Sequence, residues 1–343
     1  MLDNQTQMRR EIDEIPAAVD RLLSTGSTAI ANAALAAAAR DPAFAITIAR
    51  GSSDHACTYF KYASELLLGL AVASVGPSVA SIYGAELRLR KSLCIAVSQS
   101  GKSPDIVELA QTARRDGALT MAITNHRHSP LAESCSHTLD ILAGPERSVA
   151  ATKTFVNSVV AGLLLLAEWK GDGELIAALR RLPTLLERAT RIDWPEVRGA
   201  IGGEHSLFTL GRGPSWAMSN EAALKFKETC QLHAESYSSA EVLHGPVSIV
   251  GEGFPVLCFA AADAAEKTVT EIADQIAQKG ARVFVSSPGA RHATPIDHVR
   301  TDHPLTDPVS LIVSFYSMVE RFAVSRGIDP DAPRHLRKVT ETL

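Results

Sequence analysis

The stretch LCIAVSQSGKSPDIVELAQTARRDGALTMAITN, residues 93–125, decides how the chain is organised. Its apolar run Leu93–Ser98 has the length and composition of a buried strand. A helical pattern begins at Pro104, ends at Gly117 and is followed at once by a second apolar run, Leu119–Asn125. Strand, helix and strand in direct succession predict a parallel βαβ unit.

The same alternation continues through most of the chain. It predicts six strands: Phe44–Ala49, Leu93–Ser98, Leu119–Asn125, Leu207–Gly211, Phe254–Ala260 and Ala281–Ser287. A weak internal repeat places Arg50-Gly51 and Arg212-Gly213 at equivalent strand-to-helix turns. We therefore expect an α/β protein with two copies of one unit, each a parallel sheet flanked by helices, joined through residues 181–199.

Composition excludes several classes of protein. The 343 residues fit two domains, and the net charge of −4 does not suit a general nucleic-acid binder. The five cysteines are scattered without a CxxC pair, which predicts reduced thiols.

No targeting or membrane segment is expected. The polar start MLDNQTQMRREIDEIP lacks the apolar core of a signal peptide, and the apolar run Val159–Trp169 is too short to span a bilayer. That run predicts a buried helix, and the chain as a whole predicts a cytoplasmic protein that does not bind a membrane.

The polar end of the strand at residue 98 has the character of an anion site. In parallel sheets, ligands bind where strands end and helices begin, and a helix N-terminus favours negative charge. Here four side-chain donors surround Gly101: Ser98, Gln99, Ser100 and Ser103. Neither nucleotide-loop pattern is present, so we expect the phosphate of a small metabolite. The alternative is that Ser100 or Ser103 only caps the helix.

The residues resemble the SIS (sugar isomerase) domain family, and specifically the isomerase half of glutamine–fructose-6-phosphate aminotransferase. The resemblance rests on segments found in order along the chain: RGSS (50–53), SQSGKSPD (98–105), GPERSVAATKTF (144–155), LGRG (210–213), EAALKFKETCQLHAESYSSAEVLHGP (221–246) and PRHLRKVT (333–340).

This resemblance implies two tandem SIS domains with flavodoxin-like three-layer architecture. We expect an N-terminal helical segment at 1–30, SIS domains at 31–185 and 186–328, and a tail at 329–343 that closes the active site. The first strand is reached by Phe44 and residue 2 is Leu2, so we expect no glutamine-hydrolysing domain and no use of glutamine. The chain then looks like the SIS-type glucosamine-6-phosphate deaminases, which form fructose 6-phosphate and ammonia.

The resemblance also implies roles for individual residues. Ser53, Ser98, Gln99, Ser100 and Ser103 would bind the sugar phosphate, and Val149 would contact the sugar. Glu228 matches the base that moves a proton between C1 and C2, with Lys225 on the same helix face. His244 matches the histidine that opens the ring, contributed by a neighbouring subunit of a homodimer. Lys338 matches the lysine that forms an imine in the aminotransferase, although here it could instead position the sugar.

Taken without the resemblance, these residues allow simpler interpretations. Lys225 and Glu228 could be a surface ion pair, His244 a turn residue and Lys338 a solvated charge in a tail. No metal or other cofactor is expected, because the histidines show no ligand spacing such as HExxH.

Departures from the family pattern leave the substrate open. Ala151 replaces a serine that contacts the sugar, Lys102 enters the phosphate loop, and Arg50 replaces a small residue. Galactosamine 6-phosphate and fructoselysine 6-phosphate are alternative substrates. A sugar-phosphate sensor without activity is a further alternative, although it would have no need of Glu228, His244 and Lys338 together.

Overall fold

The computed structural model describes residues 5–338, which form two compact units that are interleaved in sequence. The first unit contains Ala17–Glu146, Lys153–Arg180 and the C-terminal stretch from Arg337. The second contains the N-terminal stretch up to Pro16, Arg147–Thr152 and Arg181–Leu336. The domain limits expected from the sequence stay predictions.

Each unit is an alternation of strands and helices. The first unit runs through a π-helical turn (Leu22–Gly26), α3 (Ser27–Arg40), β1 (Phe44–Ile48), α4 (Ser52–Leu68), β2 (Val72–Ser74), α5 (Ser78–Ser81), β3 (Ser92–Val97), α6 (Pro104–Arg115), β4 (Leu119–Thr124), α7 (Pro130–Ser134), β5 (His137–Asp140) and α8 (Lys153–Lys170). The second contains α1 (Gln7–Asp13), α10 (Pro195–Ile201), β6 (Ser206–Gly211), α11 (Pro214–Cys230), β7 (His233–Ser238), 3₁₀ turns at Glu241–His244 and Pro246–Ile249, β8 (Pro255–Phe259), α12 (Glu266–Ala277), β9 (Arg282–Val285), β10 (Thr294–Pro295) and α13 (Asp307–Ser325). Helices α2 (Ile15–Arg21) and α9 (Gly173–Ala189) each contribute residues to both units.

Both sheets are fully parallel and have the same strand order. The first reads β2-β1-β3-β4-β5, and the second, taken from its other edge, reads β7-β6-β8-β9-β10. In each unit the first strand therefore pairs with both the second and the third. The predicted fold class, parallel sheets flanked by helices, is confirmed.

The backbone bears out the internal repeat. Gly51 has φ 54° and ψ −133°, and Gly213 has φ 59° and ψ −136°, so both strand-to-helix turns adopt the same conformation, with a positive φ. Each turn opens a helix of 17 residues, α4 in the first unit and α11 in the second. A positive φ of this kind suits glycine, which has no Cβ to clash with the backbone.

Helix α8 forms the core of the first unit on one side of the sheet. The run expected to be a buried helix lies within it, and α8 packs against α3 and α4. A Cβ on Gly162 would approach the ring of Phe60 to 3.2 Å, so this glycine permits the close contact with α4. Of the described residues, only the stretch Ile15–Arg40 has the length and apolar composition of a membrane span, a test that core helices also pass. Ile30, Ala33 and Ala37 of this stretch are buried.

Four strands were not predicted, and all four are edge strands. They are β2, β5, β7 and β10. The strands in the middle of a parallel sheet are covered by helices on both faces and are mostly apolar, and β3 is buried at every position. The edge strands are shorter or more polar, such as VAS, HTLD and HAESYS, and carry no comparable apolar run.

Candidate active site

The predicted phosphate loop, residues 98–103, connects β3 to α6 in the first unit. The backbone N–H of Gly101 donates to Ser98 Oγ (3.1 Å), and the N–H of Lys102 donates to Ser100 Oγ (3.3 Å). These hydroxyls accept hydrogen bonds within the loop and keep their own protons for donation. Gly101 has φ 63°, and a Cβ there would lie 2.1 Å from Ser129 Oγ, so the loop requires glycine at this position.

Ser103 is the N-cap residue of α6, but its side chain does not cap the helix. Its backbone is extended, and its side chain makes no capping hydrogen bond. The interpretation of Ser103 as a mere helix cap is therefore wrong. With Pro104 at the start of this 12-residue helix, the N-terminus directs backbone N–H groups and the positive end of the helix dipole toward the loop.

Arg50 joins this loop to the turn after β1. Its Nε and Nη2 donate to Asp105 Oδ2 at 3.1 and 2.6 Å, with Asp105 fully buried and Arg50 half exposed. Ser53, the second residue of α4, donates its backbone N–H to the carbonyl of Arg50 (3.1 Å). Because β1 and β3 are neighbours and their connections leave on opposite sides, these two loops meet at the topological switch point of the sheet.

A cavity of about 490 Å³ lies beside the loop in the same unit. It is lined by Arg21, Gln99, Asn125, His126, Asp140, Leu142, Gly144, Pro145 and Glu146. Asn125 shapes one wall, since its Nδ2 donates to the carbonyl of Gly144 (2.8 Å) and its Oδ1 accepts from the N–H of Ala143 (2.9 Å).

Glu228 and Lys225 lie on α11 in the second unit. Lys225 Nζ donates to Glu228 Oε2 and lies 3.2 Å from Glu221 Oε1. Tyr316 of α13 donates its hydroxyl to the same Glu221 oxygen (3.0 Å). Lys225 and Glu221 are fully buried and Glu228 keeps 19% of its side-chain surface exposed, so this is not an ordinary surface ion pair.

The carboxylates of this cluster keep the Lys225 side chain charged despite its burial. Burial alone would lower the pKa of Lys225, but the carboxylates of Glu221 and Glu228 outweigh burial and raise it well above the ordinary lysine value. The buried ammonium is thus retained, and it fixes one oxygen of Glu228 while the side chain stays accessible. Glu221 and Tyr316 were not predicted from the sequence as members of this cluster.

His244 ends the 3₁₀ turn after β7 and is exposed. Gly245 follows with φ 149°, and the apolar side chains of Leu243 and Ile249 are 38% and 61% exposed on the same stretch.

Val149, the remaining predicted sugar contact, lies half-buried in the second unit on the segment 147–152. Glu11 of α1 is buried and accepts from the backbone N–H groups of Arg147 and Ser148. Asp331 in turn accepts from the N–H of Gln7 (2.6 Å) at the start of α1. Glu11 is therefore a residue that fixes the Val149 segment and that the sequence did not identify.

Lys338 belongs to the first unit and is 24% exposed. Its Nζ donates to Oε2 of the buried Glu146 (2.9 Å), so it is not simply a solvated charge. Residues 339–343 of the tail expected to close the site lie outside the described residues.

The second unit carries no copy of the phosphate loop. The equivalent connection, from β8 to α12, reads Ala-Ala-Ala-Asp-Ala-Ala over residues 260–265. It has no hydroxyl, and the N–H of Ala262 is already bonded to Asp307 Oδ2 (2.7 Å). The anion-site features are therefore those of the first unit.

Comparison with known proteins identifies the same family as the sequence motifs. The model of the SIS domain matches residues 43–168 and 201–317. A glutamine–fructose-6-phosphate aminotransferase from Symbiobacterium thermophilum is 33% identical over 361 residues, covering 96% of this chain and 58% of the relative. The chain spans about half the length of the curated relatives it matches.

Solved structures are similar over nearly the whole chain. A candidate phosphosugar isomerase from Silicibacter pomeroyi DSS-3 is 68% identical with a TM-score of 0.93, covering 95% of this chain and 100% of that one. A glucosamine-6-phosphate deaminase from Thermotoga maritima shares the fold, with 19% identity, a TM-score of 0.78 and coverage of 98% and 100%.

Proposed function

Since this chain belongs to the SIS domain family, we propose that it is an enzyme acting on a phosphorylated amino sugar. The reaction we propose is conversion of glucosamine 6-phosphate and water into fructose 6-phosphate and ammonia. The observation that carries the proposal is the buried ammonium of Lys225 on the accessible carboxylate of Glu228, an arrangement suited to proton transfer.

The phosphate would bind to Ser98, Gln99, Ser100 and Ser103, with Ser53 at the neighbouring loop. Free hydroxyl protons and the N-terminus of α6 favour an anion there. Val149 would contact the sugar from the segment that Glu11 holds.

The proposed steps conserve atoms and protons. His244 moves the proton that opens the sugar ring, which exposes the aldehyde at C1. Glu228 takes the proton from C2 and returns it to C1, while a second proton passes from the C2 amine to O1, so that the amine becomes an imine and C1 becomes a hydroxymethyl group. Water adds to the imine carbon and ammonia leaves, giving fructose 6-phosphate.

A homodimer in the cytoplasm is part of this proposal. His244 is exposed beside Leu243 and Ile249, and an apolar surface of this kind suits contact with a second copy of the chain. His244 would then serve the active site of the partner.

One specific observation favours a second candidate substrate. Ala151 has no hydroxyl to offer a sugar, and it lies on the segment that carries Val149. Galactosamine 6-phosphate would then replace glucosamine 6-phosphate in the same chemistry, or the enzyme would act as a deglycase that cleaves fructoselysine 6-phosphate. A sensor without activity is less well supported, because it has no use for a buried lysine between two carboxylates.

The test is to measure ammonia and fructose 6-phosphate released from glucosamine 6-phosphate. We expect equal amounts of both products, their loss in Glu228→Gln, and normal rates in the matched control Glu241→Gln, whose side chain is exposed. If no ammonia forms while the sugar phosphate still raises the melting temperature, the phosphate site stands and the substrate is another amino sugar phosphate. Activity retained by Glu228→Gln would exclude Glu228 as the base.

A further inference from the structure

The side chain of Asp105 places a carboxylate at the same helix end as the proposed phosphate site. Asp105 is the second residue of α6, directly after the loop and Pro104, and its side chain is fully buried. Its Oδ1 accepts from the backbone N–H of Ile106 (2.9 Å), one of the groups that a helix N-terminus offers to an anion. A bound phosphate and this carboxylate would therefore lie at one end of one helix and repel each other.

Arg50 supplies the opposite charge from the neighbouring loop. Its Nε and Nη2 donate to Asp105 Oδ2 at 3.1 and 2.6 Å, so both oxygens of Asp105 accept hydrogen bonds, as the oxygens of a carboxylate do. A guanidinium is not deprotonated in proteins, so its positive charge is permanent. The ion pair therefore cancels the negative charge of Asp105 beside the loop.

The loop itself offers little that could replace this compensation. Lys102 is the only basic residue in the sequence 98–105, and it is exposed, where solvent and salt screen its charge. The side-chain donors Ser98, Gln99, Ser100 and Ser103 are neutral. Arg50 also departs from the family pattern, which has a small residue at this position. The compensating charge is therefore a feature of this chain and comes from a different strand.

We propose that Arg50 is a positioning residue of the anion site: it holds and neutralises the carboxylate of Asp105, and the loop binds phosphate only because this charge is cancelled. The inference rests on the proposed function, since it concerns the same phosphate. In this role Arg50 acts through Asp105 and does not contact the phosphate. The competing explanation is a brace, in which the ion pair only joins the turn after β1 to α6.

The two explanations differ in what they predict for Asp105, and calorimetric titration with inorganic phosphate and with fructose 6-phosphate separates them. Arg50→Met leaves the carboxylate uncompensated and should raise both dissociation constants about tenfold. Asp105→Asn, whose amide oxygen can still accept from Ile106, should bind at least as tightly as the wild type. The double variant Arg50→Met/Asp105→Asn should return to within about threefold of the wild type. A brace predicts the same loss in all three variants.

Two further variants serve as controls. Arg50→Lys keeps the charge but not the fork of two N–H donors, so its affinity should lie between those of the wild type and Arg50→Met. Arg90→Met is the matched control, because Arg90 is exposed and precedes β3, whereas the loop follows that strand at its other end. It should bind both anions as the wild type does. If Arg50→Met does not fold, because a buried carboxylate is left unpaired, Asp105→Asn and the double variant still distinguish the two explanations.

The outcomes separate this inference from the proposed reaction. Equal losses of affinity in Asp105→Asn and the double variant, or unchanged affinity in a folded Arg50→Met, would overturn the role of Arg50. Failure of the wild type to bind either anion would overturn it together with the phosphate site. If glucosamine 6-phosphate releases no ammonia while the affinities follow the expected order, the proposed reaction fails and the role of Arg50 stands.

Discussion

Lys225 donates a hydrogen bond to Glu228 from a fully buried position one helical turn earlier on α11. The same ammonium also contacts Glu221, which is held by the hydroxyl of Tyr316. A single buried cation thus connects the accessible carboxylate of Glu228 to a second helix, α13.

Replacing Lys225 by methionine should therefore be strongly destabilising. Two carboxylates would lose their common cation, which typically costs about 3–5 kcal/mol of unfolding free energy. Activity should be lost as well. Lys227→Met, on the same helix but exposed, should change stability by no more than about 0.5 kcal/mol. Urea unfolding of the two variants measures the difference, and equal stabilities would contradict a structural role for the buried ammonium.

The contribution of Lys225 to stability should be complete around neutrality and decrease in the alkaline range. Its pKa is raised in the folded state by the neighbouring carboxylates, so the folded protein holds this proton more tightly than the unfolded chain. The stabilisation is complete below the unfolded lysine pKa of about 10.4 and decreases as pH rises beyond it. The difference in unfolding free energy between the wild type and Lys225→Met should thus be constant around neutrality and become smaller in strong alkali.

Gly101→Ala should abolish phosphate binding. The new Cβ would have to lie 2.1 Å from Ser129 Oγ and 2.5 Å from Ser129 Cβ, at a φ of 63°. Displacing the loop should cost about 1–3 kcal/mol of stability and most of the affinity for fructose 6-phosphate. Gly117→Ala is the matched control, because φ there is 90° but nothing lies within 4 Å of the new Cβ. Calorimetric titration should show that Gly117→Ala binds fructose 6-phosphate and that Gly101→Ala does not.

Mixing two inactive variants tests whether His244 acts across a dimer. Glu228→Gln and His244→Ala should each be inactive alone. After joint unfolding and refolding, half the dimers are mixed and each of these has one intact site, so about a quarter of the wild-type rate should return. No recovery, despite demonstrated mixed dimers, would place both residues in the same subunit's site.

Glu11→Gln should weaken the segment that carries Val149. The backbone N–H groups of Arg147 and Ser148 would lose a charged acceptor, which should cost about 1–3 kcal/mol of unfolding free energy. Because that segment is proposed to contact the sugar, KM should rise as well. Glu14→Gln is an exposed control on the following turn and should leave both quantities unchanged. An unaltered KM in Glu11→Gln would separate this segment from substrate binding.

The sequence predicted the middle of each sheet and missed its edges. Strands such as β3 are buried along their whole length, and this burial produces the apolar runs that were used to find them. The edge strand β10 has only two residues, Thr294 and Pro295, and both are exposed. Such a strand is defined by the neighbour it pairs with, so its own residues carry almost no signal.

A similar limit applies to the site. The phosphate loop could be found because its donors are consecutive in sequence, and Lys225 and Glu228 because they are three residues apart. The partners of these groups are remote: Tyr316 is 95 residues from Glu221, Arg147 is 136 from Glu11, and Lys338 is 192 from Glu146. No spacing rule relates residues that only the folded chain brings together.

The two glycine turns share one backbone geometry, whereas the loops after β3 and β8 have diverged completely in chemistry. One repeat keeps the hydroxyl-rich loop and the other keeps the helix with the buried lysine between acidic residues. In the proposed function, substrate capture and proton transfer are encoded in different halves of the gene. Selection, or a protein engineer, could then change the reaction through substitutions in one half, while the phosphate-binding loop in the other half stays the same.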